Sequence, residues 1–203
     1  MCIRDRGYIA KPAVIYLSVI GVDTPIATGF QALAVHSYDY LVGPTDISTE
    51  DAKSLSDLVK EQRLKRYVGK GVLPNVEADN EGIVNFVSTG IKAGGTPFAP
   101  AQYAGRIAGI LAGTPAECSA TYASLEEVTG VDTVENPDAA VDAGKLFLID
   151  DGRRVKLSRA VTSKTTVGQT EPEMLKKIKL VAALDLIRYY AIATCLLYTS
   201  DAA

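Results

Sequence analysis

The single histidine of the chain, His36, limits the nucleophilic chemistry that the sequence could support. A Ser-His-Asp or Cys-His mechanism would have to use this one imidazole as its base. No serine lies between glycines in the pattern of a nucleophile elbow. We therefore interpret His36 as a structural residue at the start of a strand, and we predict no catalytic residue in the chain.

A glycine-rich stretch, Gly90–Thr96, is the only segment that suggests a phosphate-binding loop. It lacks the terminal Gly-Lys-Ser/Thr whose lysine and hydroxyl hold phosphate and magnesium. The run Gly69–Lys70–Gly71 is too short to form such a motif. We predict a mobile loop at Gly90–Thr96 and no cofactor-binding residues.

Metal ligands and paired carboxylates are equally sparse. Cys118 and His36 stand alone in the sequence, and neither CxxC nor HExxH spacing occurs. Asp150 and Asp151 are the nearest approach to a carboxylate pair, but an Asp-Gly sequence is also typical of a tight turn. We predict no metal site and assign Asp151 to the turn.

The overall composition is that of a globular protein with a sizeable core. Hydrophobic residues make up 47% of the chain and charged residues 22%. A net charge of −3 and a pI near 5.3 lack the basic footprint of nucleic-acid binders. The apolar runs Ala13–Ile20 and Ala191–Tyr198 are shorter than the roughly 20 residues of a membrane-spanning helix. We predict no nucleic-acid partner and no membrane insertion.

The two ends of the chain differ in character from the interior. Met1–Arg6 and Cys195–Ala203 resemble translated sequencing adapter, one end being the reverse complement of the other, and are set aside. We expect the true chain to run from about Gly7 to about Thr194, with both natural ends missing. Of the three cysteines only Cys118 then remains, so a disulfide framework is excluded and a packing role is expected.

The interior alternates between strand and helix patterns. A helix is predicted after Ser48, which is placed to cap it, with an apolar stripe at Ala52, Leu55, Leu58 and Val59. Runs rich in β-branched and apolar residues predict four strands, at Ala13–Ile20, Tyr38–Val42, Tyr67–Leu73 and Gly82–Val87. This alternation predicts an α/β layer built around a largely parallel sheet.

Two further helices are expected in the middle of the chain. The first, Pro97–Ala112, has Gly105 and Gly109 among small residues; since glycine costs about 1 kcal/mol each in a helix, a neighbouring backbone is expected to approach closely there. The second is short and framed by Asn136 as N-cap, with Pro137 at its first position and Gly144 just past its end.

The C-terminal part has a different pattern. Leu146–Ile149 and Val155–Leu157 flank Asp151–Gly152, which predicts a β-hairpin with a type I′ turn. Thr170, with Glu173 three residues on, is expected to cap a last helix whose stripe is Met174, Leu175, Ile178, Val181, Ala182 and Leu186. We place a domain boundary near Ala143.

Three stretches resemble the tail sheath proteins of myophages and Gram-positive prophages. Leu73–Phe86 is similar to that family's ADxEGIIN stretch, and Tyr103–Thr129 to its AGxxAGTPxxxSxTY helix and following strand. Ala143–Ile187 is similar to its AGKLxLxxDGxKVK and KKIKIVxxMDLI block. The chain departs from the pattern at Leu175, where the family often has an aromatic residue, and Gly7–Val35 matches only loosely.

The resemblance implies an α/β fold: a subtilisin-like α/β layered domain without the protease's catalytic residues, followed by a partial α+β C-terminal sheath domain. On this basis residues 7–143 are expected to form the first domain, incomplete at its N-terminus, and residues 144–194 the second, truncated. Residues 1–6 and 195–203 remain the adapter-derived ends.

The resemblance also implies a function and partners. A sheath subunit polymerises around a tail tube and contracts to drive the tube through the host envelope. Its implied partners are other sheath subunits, linked by strand exchange through N- and C-terminal arms missing here, the tail tube protein and the baseplate. It would be assembled in the host bacterial cytoplasm and reside in the virion tail, of a phage, a prophage or a contractile injection system.

Two other classes of function remain open from the residues alone. A subtilisin-like or other α/β hydrolase fragment is favoured only by the alternating fold pattern, and fold does not imply function. A nucleotide-binding module would require a ligand that protects the protein against thermal unfolding.

Overall fold

The computed structural model describes residues 12–21, 23–65, 67–168 and 172–200, with side chains described as far as Cys195. The described helices and strands are, in chain order, α1 Ile26–Leu33, β1 Tyr40–Val42, α2 Thr49–Leu64, β2 Lys70–Pro74, β3 Ile83–Phe86, β4 Ile91–Ala93, β5 Thr96–Phe98, α3 Pro100–Gly113, β6 Ser124–Leu125, β7 Val128–Gly130, α4 Pro137–Asp142, β8 Lys145–Leu146, β9 Leu148–Asp150, β10 Val155–Leu157 and α5 Ile178–Ser200. A 3₁₀ turn, Glu173–Lys176, precedes α5.

Some of the sequence predictions fall outside these ranges. Met1–Arg6 and the predicted cap Thr170 are not among the described residues, and of Cys195–Ala203 only the backbone to Ser200 and the first side chain are described.

The central sheet is parallel, as the alternation of strands and helices predicts. Its order is β1-β2-β3-β8, and all three pairings are parallel. Three of the predicted strands are confirmed in this sheet, each shorter than expected. Two three-stranded sheets, β6-β10-β9 and β5-β4-β7, complete a mixed α/β fold.

Helix α2 crosses over between β1 and β2 and begins where the sequence predicts. The Ser48 hydroxyl accepts a hydrogen bond from the backbone N–H of Asp51 at 3.0 Å, which satisfies one free amide of the first turn. Ala52, Leu55 and Val59 are buried against one side of the sheet. The predicted cap and apolar stripe are therefore confirmed.

Helix α3 contributes to the larger core, on β1 and β2. Ile107 and Leu111 pack in one cluster with Val84 and Phe86 of the sheet. The same cluster includes residues from beyond Ala143, namely Leu146, Leu148, Val155, Leu157, Ala160 and Ile178. The core is continuous across the predicted domain boundary, and the division into residues 7–143 and 144–194 stays a prediction.

The predicted strand at Ala13–Ile20 is wrong. The segment has no regular secondary structure and pairs with no strand of the described chain, and Leu17 and Val19 are 85% and 88% exposed. The β-propensity of Val and Ile reflects packing on a pleated surface, and here no neighbouring strand provides one. Helix α1 follows this segment and buries Gly29 and Phe30. This helix was not predicted from the sequence.

The segment Gly90–Thr96 is not a mobile loop but forms most of a β-hairpin. Strands β4 and β5 pair antiparallel, with Ala93 opposite Thr96. Gly94 and Gly95 connect them with φ of +57° and +80°, as a two-residue type I′ turn requires. Helix α3 therefore begins at Pro100, three residues later than predicted.

Gly105 and Gly109 of α3 contact no neighbouring backbone among the described residues, so that prediction is wrong. Within this part of the chain, a Cβ at Gly105 would meet nothing within 4 Å, and one at Gly109 would meet only the Pro12 ring at 3.8 Å. The buried side of α3 is instead formed by Tyr103, Ala104, Ile107, Ala108, Ile110 and Leu111.

The hairpin at Asp151–Gly152 is confirmed, but its turn type is wrong. Asp150 pairs with Val155, which leaves a four-residue loop in place of a two-residue turn. Gly152 has φ +79°, so positive φ occurs where it was predicted. The predicted first strand is interrupted at Phe147, because Leu146 belongs to the parallel sheet and Leu148 to the antiparallel one.

The last two helices differ in how well their ends were predicted. Helix α4 has the predicted frame: Asn136 Oδ1 accepts from the Ala139 N–H at 3.1 Å, and Gly144 follows the helix with φ +67°. Helix α5 begins only at Ile178, because the residues before it form the 3₁₀ turn. Met174 is exposed and Leu175 is half-buried.

Candidate functional site

The residues considered for chemistry are dispersed over the fold. His36 is exposed in the turn after α1, and its ring stacks on Tyr16 with centroids 4.2 Å apart. Cys118 is half-buried in the loop after α3. Within the described ranges, no group of three or more His, Cys, Asp and Glu residues is placed to hold a metal ion. None of the helices described here is both long and apolar enough to span a bilayer.

The Asp150 and Asp151 carboxylates are engaged by their own hairpin loop. Asp150 Oδ1 accepts from the Gly152 N–H at 2.8 Å. Asp151 Oδ1 accepts from the N–H groups of Arg153 and Arg154, and Oδ2 pairs with the Lys156 ammonium. The lysine, followed by the two backbone N–H groups, holds the pKa of Asp151 well below its usual range. The geometry supports the assignment of Asp151 to the turn.

Asp79 connects two stretches that are far apart in the sequence. Its Oδ1 accepts from the backbone N–H groups of Thr165 and Thr166, at 2.8 and 2.9 Å, and from the Thr165 hydroxyl at 3.1 Å. These bonds, chiefly that from the Thr166 N–H, hold the pKa of Asp79 well below its ordinary value. The ionised carboxylate therefore fastens the loop before β3 to the segment after β10.

Ser163 and Gly144 extend this connection. The Ser163 hydroxyl donates to the Asn80 carbonyl at 3.0 Å, and the Ser163 N–H donates to the Ile83 carbonyl at 2.7 Å. Gly144 lies so close that a Cβ would be 2.9 Å from Ser163 Cα and from the Thr162 carbonyl oxygen. We call residues 79–83, 144 and 162–166 the loop junction. It joins two of the three stretches that carry the family resemblance.

A buried charge cluster lies beside the central sheet. Arg63 at the end of α2 donates to both carboxylate oxygens of Asp185 on α5, at 3.0 and 3.1 Å. The Lys70 ammonium of β2 donates to Asp185 Oδ2 at 3.1 Å. All three side chains are at most 8% exposed. The charge cluster therefore holds α5 against α2 and β2.

The partners around the cluster compensate for burying two cations with one carboxylate. Arg63 also donates to the carbonyls of Val68 and Gly69, and lies 3.4 Å from Glu81 Oε1. Burial lowers the pKa of Lys70, while Asp185 opposes that shift. The Lys70 ammonium also lies 5.0 Å from the centroid of the Tyr40 ring, a cation–π distance.

This cluster was not predicted from the sequence, although a signal was present. Asp185 lies seven residues after Ile178 and four after Val181, which places it on the buried stripe of α5. A charged residue on an apolar stripe is rarely buried unless it is paired. That position predicts a buried partner but does not identify Arg63 or Lys70.

The rest of α5 presents an apolar surface. Beyond Asp185, the side chains of Leu186, Ile187, Tyr189 and Tyr190 are between 44% and 65% exposed. The exposed apolar residues of this helix are Leu184, Leu186, Ile187, Tyr189 and Tyr190. Extended apolar surface of this kind is typical of protein–protein contact regions.

Comparison with known proteins identifies related sequences. A family model for the phage tail sheath protein central domain matches residues 21–163. The tail sheath protein of Clostridium phage phiCD119 is 31% identical over 185 residues, which cover 90% of this chain and 52% of that protein. The chain thus spans about half the length of the curated relative it matches.

Solved structures show the same fold. The sheath tail protein of Desulfitobacterium hafniense superposes with a TM-score of 0.76 at 20% identity, over 82% of this chain and 41% of that one. The sheath tail protein Lin1278 of Listeria innocua gives a TM-score of 0.73 at 25% identity, over 79% and 38% of the two chains.

Proposed function

The chain belongs to the phage tail sheath protein family, and from that premise we propose that it is a structural subunit of a contractile tail sheath and not an enzyme. The observation that carries the proposal is the match of the central-domain family model to residues 21–163. The phage relative, similar over 90% of the chain, supports the same assignment. The hydrolase alternative receives no support from these comparisons.

The finer parts of the function are proposals as well. The sheath polymerises around a tail tube, is attached to a baseplate, and contracts to drive the tube through the host envelope. The α/β domain is subtilisin-like in fold, and residues 144–194 begin the C-terminal sheath domain. The protein is assembled in the host cytoplasm and resides in the tail of a phage, a prophage particle or an injection system.

Two features of the structure suit a subunit that moves as a rigid body. The loop junction fastens Asp79 to Thr165 and Thr166 across the two predicted domains. The charge cluster fastens α5 to the sheet through Asp185. Because contraction rearranges whole subunits, such internal fastening keeps each subunit intact while its contacts with neighbours change.

Assembly provides the test of this function. We compare the 203-residue chain with a full-length sheath chain that carries the N- and C-terminal arms, using electron microscopy and analytical ultracentrifugation. The full-length chain is expected to form regular tubes. The 203-residue chain is expected to remain monomeric or to aggregate without order, because the resemblance assigns the links between subunits to strand exchange through the arms.

A matched variant separates assembly from folding. Tube formation by the full-length chain is compared between two variants of α5. Lys179→Ser changes an exposed polar position, whereas Ile187→Ser removes an apolar side chain that is 65% exposed on the same helix. If the full-length chain folds and never forms tubes under any condition, the sheath proposal is wrong. Regular tubes from the 203-residue chain would show instead that the arms are dispensable.

A further inference from the structure

A cleft with a volume of about 420 Å³ lies at the carboxyl edge of the parallel sheet. Its lining includes Asn75, directly after β2, Val87, directly after β3, and Thr49, the first residue of α2. In parallel α/β structures this edge is where ligands bind, because strand ends and helix N-termini meet there. The volume lies within the range of small-ligand pockets.

Asn85 supplies an unused hydrogen-bond donor at this cleft. Its side chain lines the cleft, although the residue is only 1% exposed. Its Oδ1 accepts from the Val76 N–H at 2.9 Å, so the orientation of the amide is determined by that bond. Its Nδ2 is buried and has no acceptor among the described residues. Native proteins rarely retain such a donor, so an acceptor beyond the described residues, such as a bound ligand, is expected.

The charges at the cleft favour a negatively charged occupant. Lys145 Nζ pairs with Glu77 Oε1 at 2.9 Å, and the Glu77 side chain is 72% exposed. Lys53, in the second turn of α2, lines the cleft and forms neither a hydrogen bond nor an ion pair with any described residue. Two lysines against one carboxylate leave an excess of positive charge.

The N-terminus of α2 adds little to this attraction. Ser48 already caps the first turn, and the carboxylates of Glu50 and Asp51 already lie beside its free N–H groups. The attraction for an anion therefore comes from the buried amide of Asn85 and from the ammonium of Lys53, which has no partner among the described residues.

We propose that the cleft binds a small oxyanion of the carboxylate or phosphate class. The anion pairs with Lys53 and shares Lys145 with Glu77. It accepts from Asn85 Nδ2 directly or through one ordered water, since Asn85 lines the cleft while its Nδ2 is buried. The proposal goes beyond the sheath role and does not rest on it.

Nuclear magnetic resonance of the whole 203-residue chain tests this site. Sodium phosphate, and separately sodium acetate, is titrated while the side-chain amide signal of Asn85 is observed, with sodium chloride at equal ionic strength as the reference. A saturable shift is expected with phosphate or acetate and not with chloride. Lys53→Gln is expected to weaken binding about fivefold, because a charge-assisted contact is lost.

Lys65→Gln is the matched control, since it removes the same charge from the exposed far end of α2. It should leave the affinity unchanged. Asn85→Asp keeps the acceptor for Val76 and replaces the donor, so it should abolish binding; in this variant, binding is followed by the backbone amide signal of Val76, which also lines the cleft. If Asn85→Asp does not fold, the two lysine variants and the Asn85 signal still decide the question.

Three results would overturn the proposal: no saturable shift of the Asn85 amide across the millimolar range, an equal shift with chloride, or equal weakening by the two lysine variants.

Dilution of the protein identifies the source of the anion. A shift that appears only with added phosphate or acetate indicates a free ion. A shift that grows with protein concentration and is reversed by phosphate indicates a carboxylate from a second copy of the chain.

Discussion

Replacing Asp185 by asparagine tests whether the charge cluster holds α5 on the sheet. The substitution keeps the size of the side chain and removes its charge. The guanidinium of Arg63 and the ammonium of Lys70 then lose their shared carboxylate, although both side chains are at most 7% exposed. The free energy of unfolding is therefore expected to fall substantially.

The structure indicates the magnitude. Removing one partner of a buried ion pair costs roughly 3–5 kcal/mol, because an uncompensated charge remains. Arg63 keeps the carbonyls of Val68 and Gly69 and its contact with Glu81, and the new amide oxygen still accepts one hydrogen bond. We expect a loss at the lower end, about 3 kcal/mol at pH 7.

The loss should depend on pH through Lys70. Burial lowers the pKa of Lys70 below 10.5, and Asp185 opposes this shift, so Asp185→Asn lowers the pKa further. The unfolded chain then binds the lysine proton at pH values where the folded chain has released it, and stability rises with pH. The deficit of the variant should therefore shrink as the pH rises toward 10.5, the ordinary pKa of lysine.

Chemical denaturation followed by circular dichroism measures the loss, and hydrogen exchange of α5 shows whether the helix detaches first. Asp57→Asn is the control, since Asp57 pairs with Lys60 on the exposed face of α2 and should cost less than about 0.5 kcal/mol. Adding Lys70→Met to Asp185→Asn should recover about 1–2 kcal/mol. Equal losses for Asp57→Asn and Asp185→Asn, or a deficit independent of pH, would refute the reasoning.

Four further substitutions have expected outcomes in the same denaturation assay. Gly144→Ala should cost about 2 kcal/mol or more, because φ is +67° and the new Cβ would lie 2.9 Å from neighbouring main-chain atoms. Gly152→Ala should cost about 1 kcal/mol, because φ is +79° but the new Cβ would have no described atom within 4 Å. Equal losses of stability for the two variants would contradict the steric argument. Because the pKa of Asp79 is lowered in the folded protein, its contribution to the free energy of unfolding is present above its ordinary pKa and is lost as the pH falls. Asp79→Asn should therefore flatten the acid side of the curve of stability against pH. An unchanged curve would argue against the loop junction. Ser48→Ala should cost about 1 kcal/mol, since the first turn of α2 loses its cap, and an unchanged melting temperature would show that water replaces the cap.

Features that depend on a few neighbouring residues were predictable. Ser48 positions the start of α2, and Asn136, Pro137 and Gly144 frame α4, because caps and positive φ are satisfied within one turn of the chain. The parallel order of the central sheet followed from strands that alternate with helices, since a parallel connection needs a crossover.

Features that depend on a partner far away in the sequence could not be predicted. The run at Ala13–Ile20 has the composition of a buried strand, yet no described strand lies beside it. The two-residue turn that the sequence suggested at Asp151–Gly152 is instead found at Gly94–Gly95. In both cases the local composition was compatible with more than one structure, and the packing of the neighbouring segments selected between them.

By itself the sequence determined the class of fold, the start of α2, both ends of α4, and the resemblance of three stretches to one family, because each of these depends on residue types within a short window. Only the tertiary structure decided what those residues contact. Asp79 meets Thr165 across 86 residues, and Arg63 meets Asp185 across 122. A buried charge or a free amide such as that of Asn85 predicts that a partner is needed. Which group fills that need is decided by the spatial arrangement of segments that the sequence keeps apart.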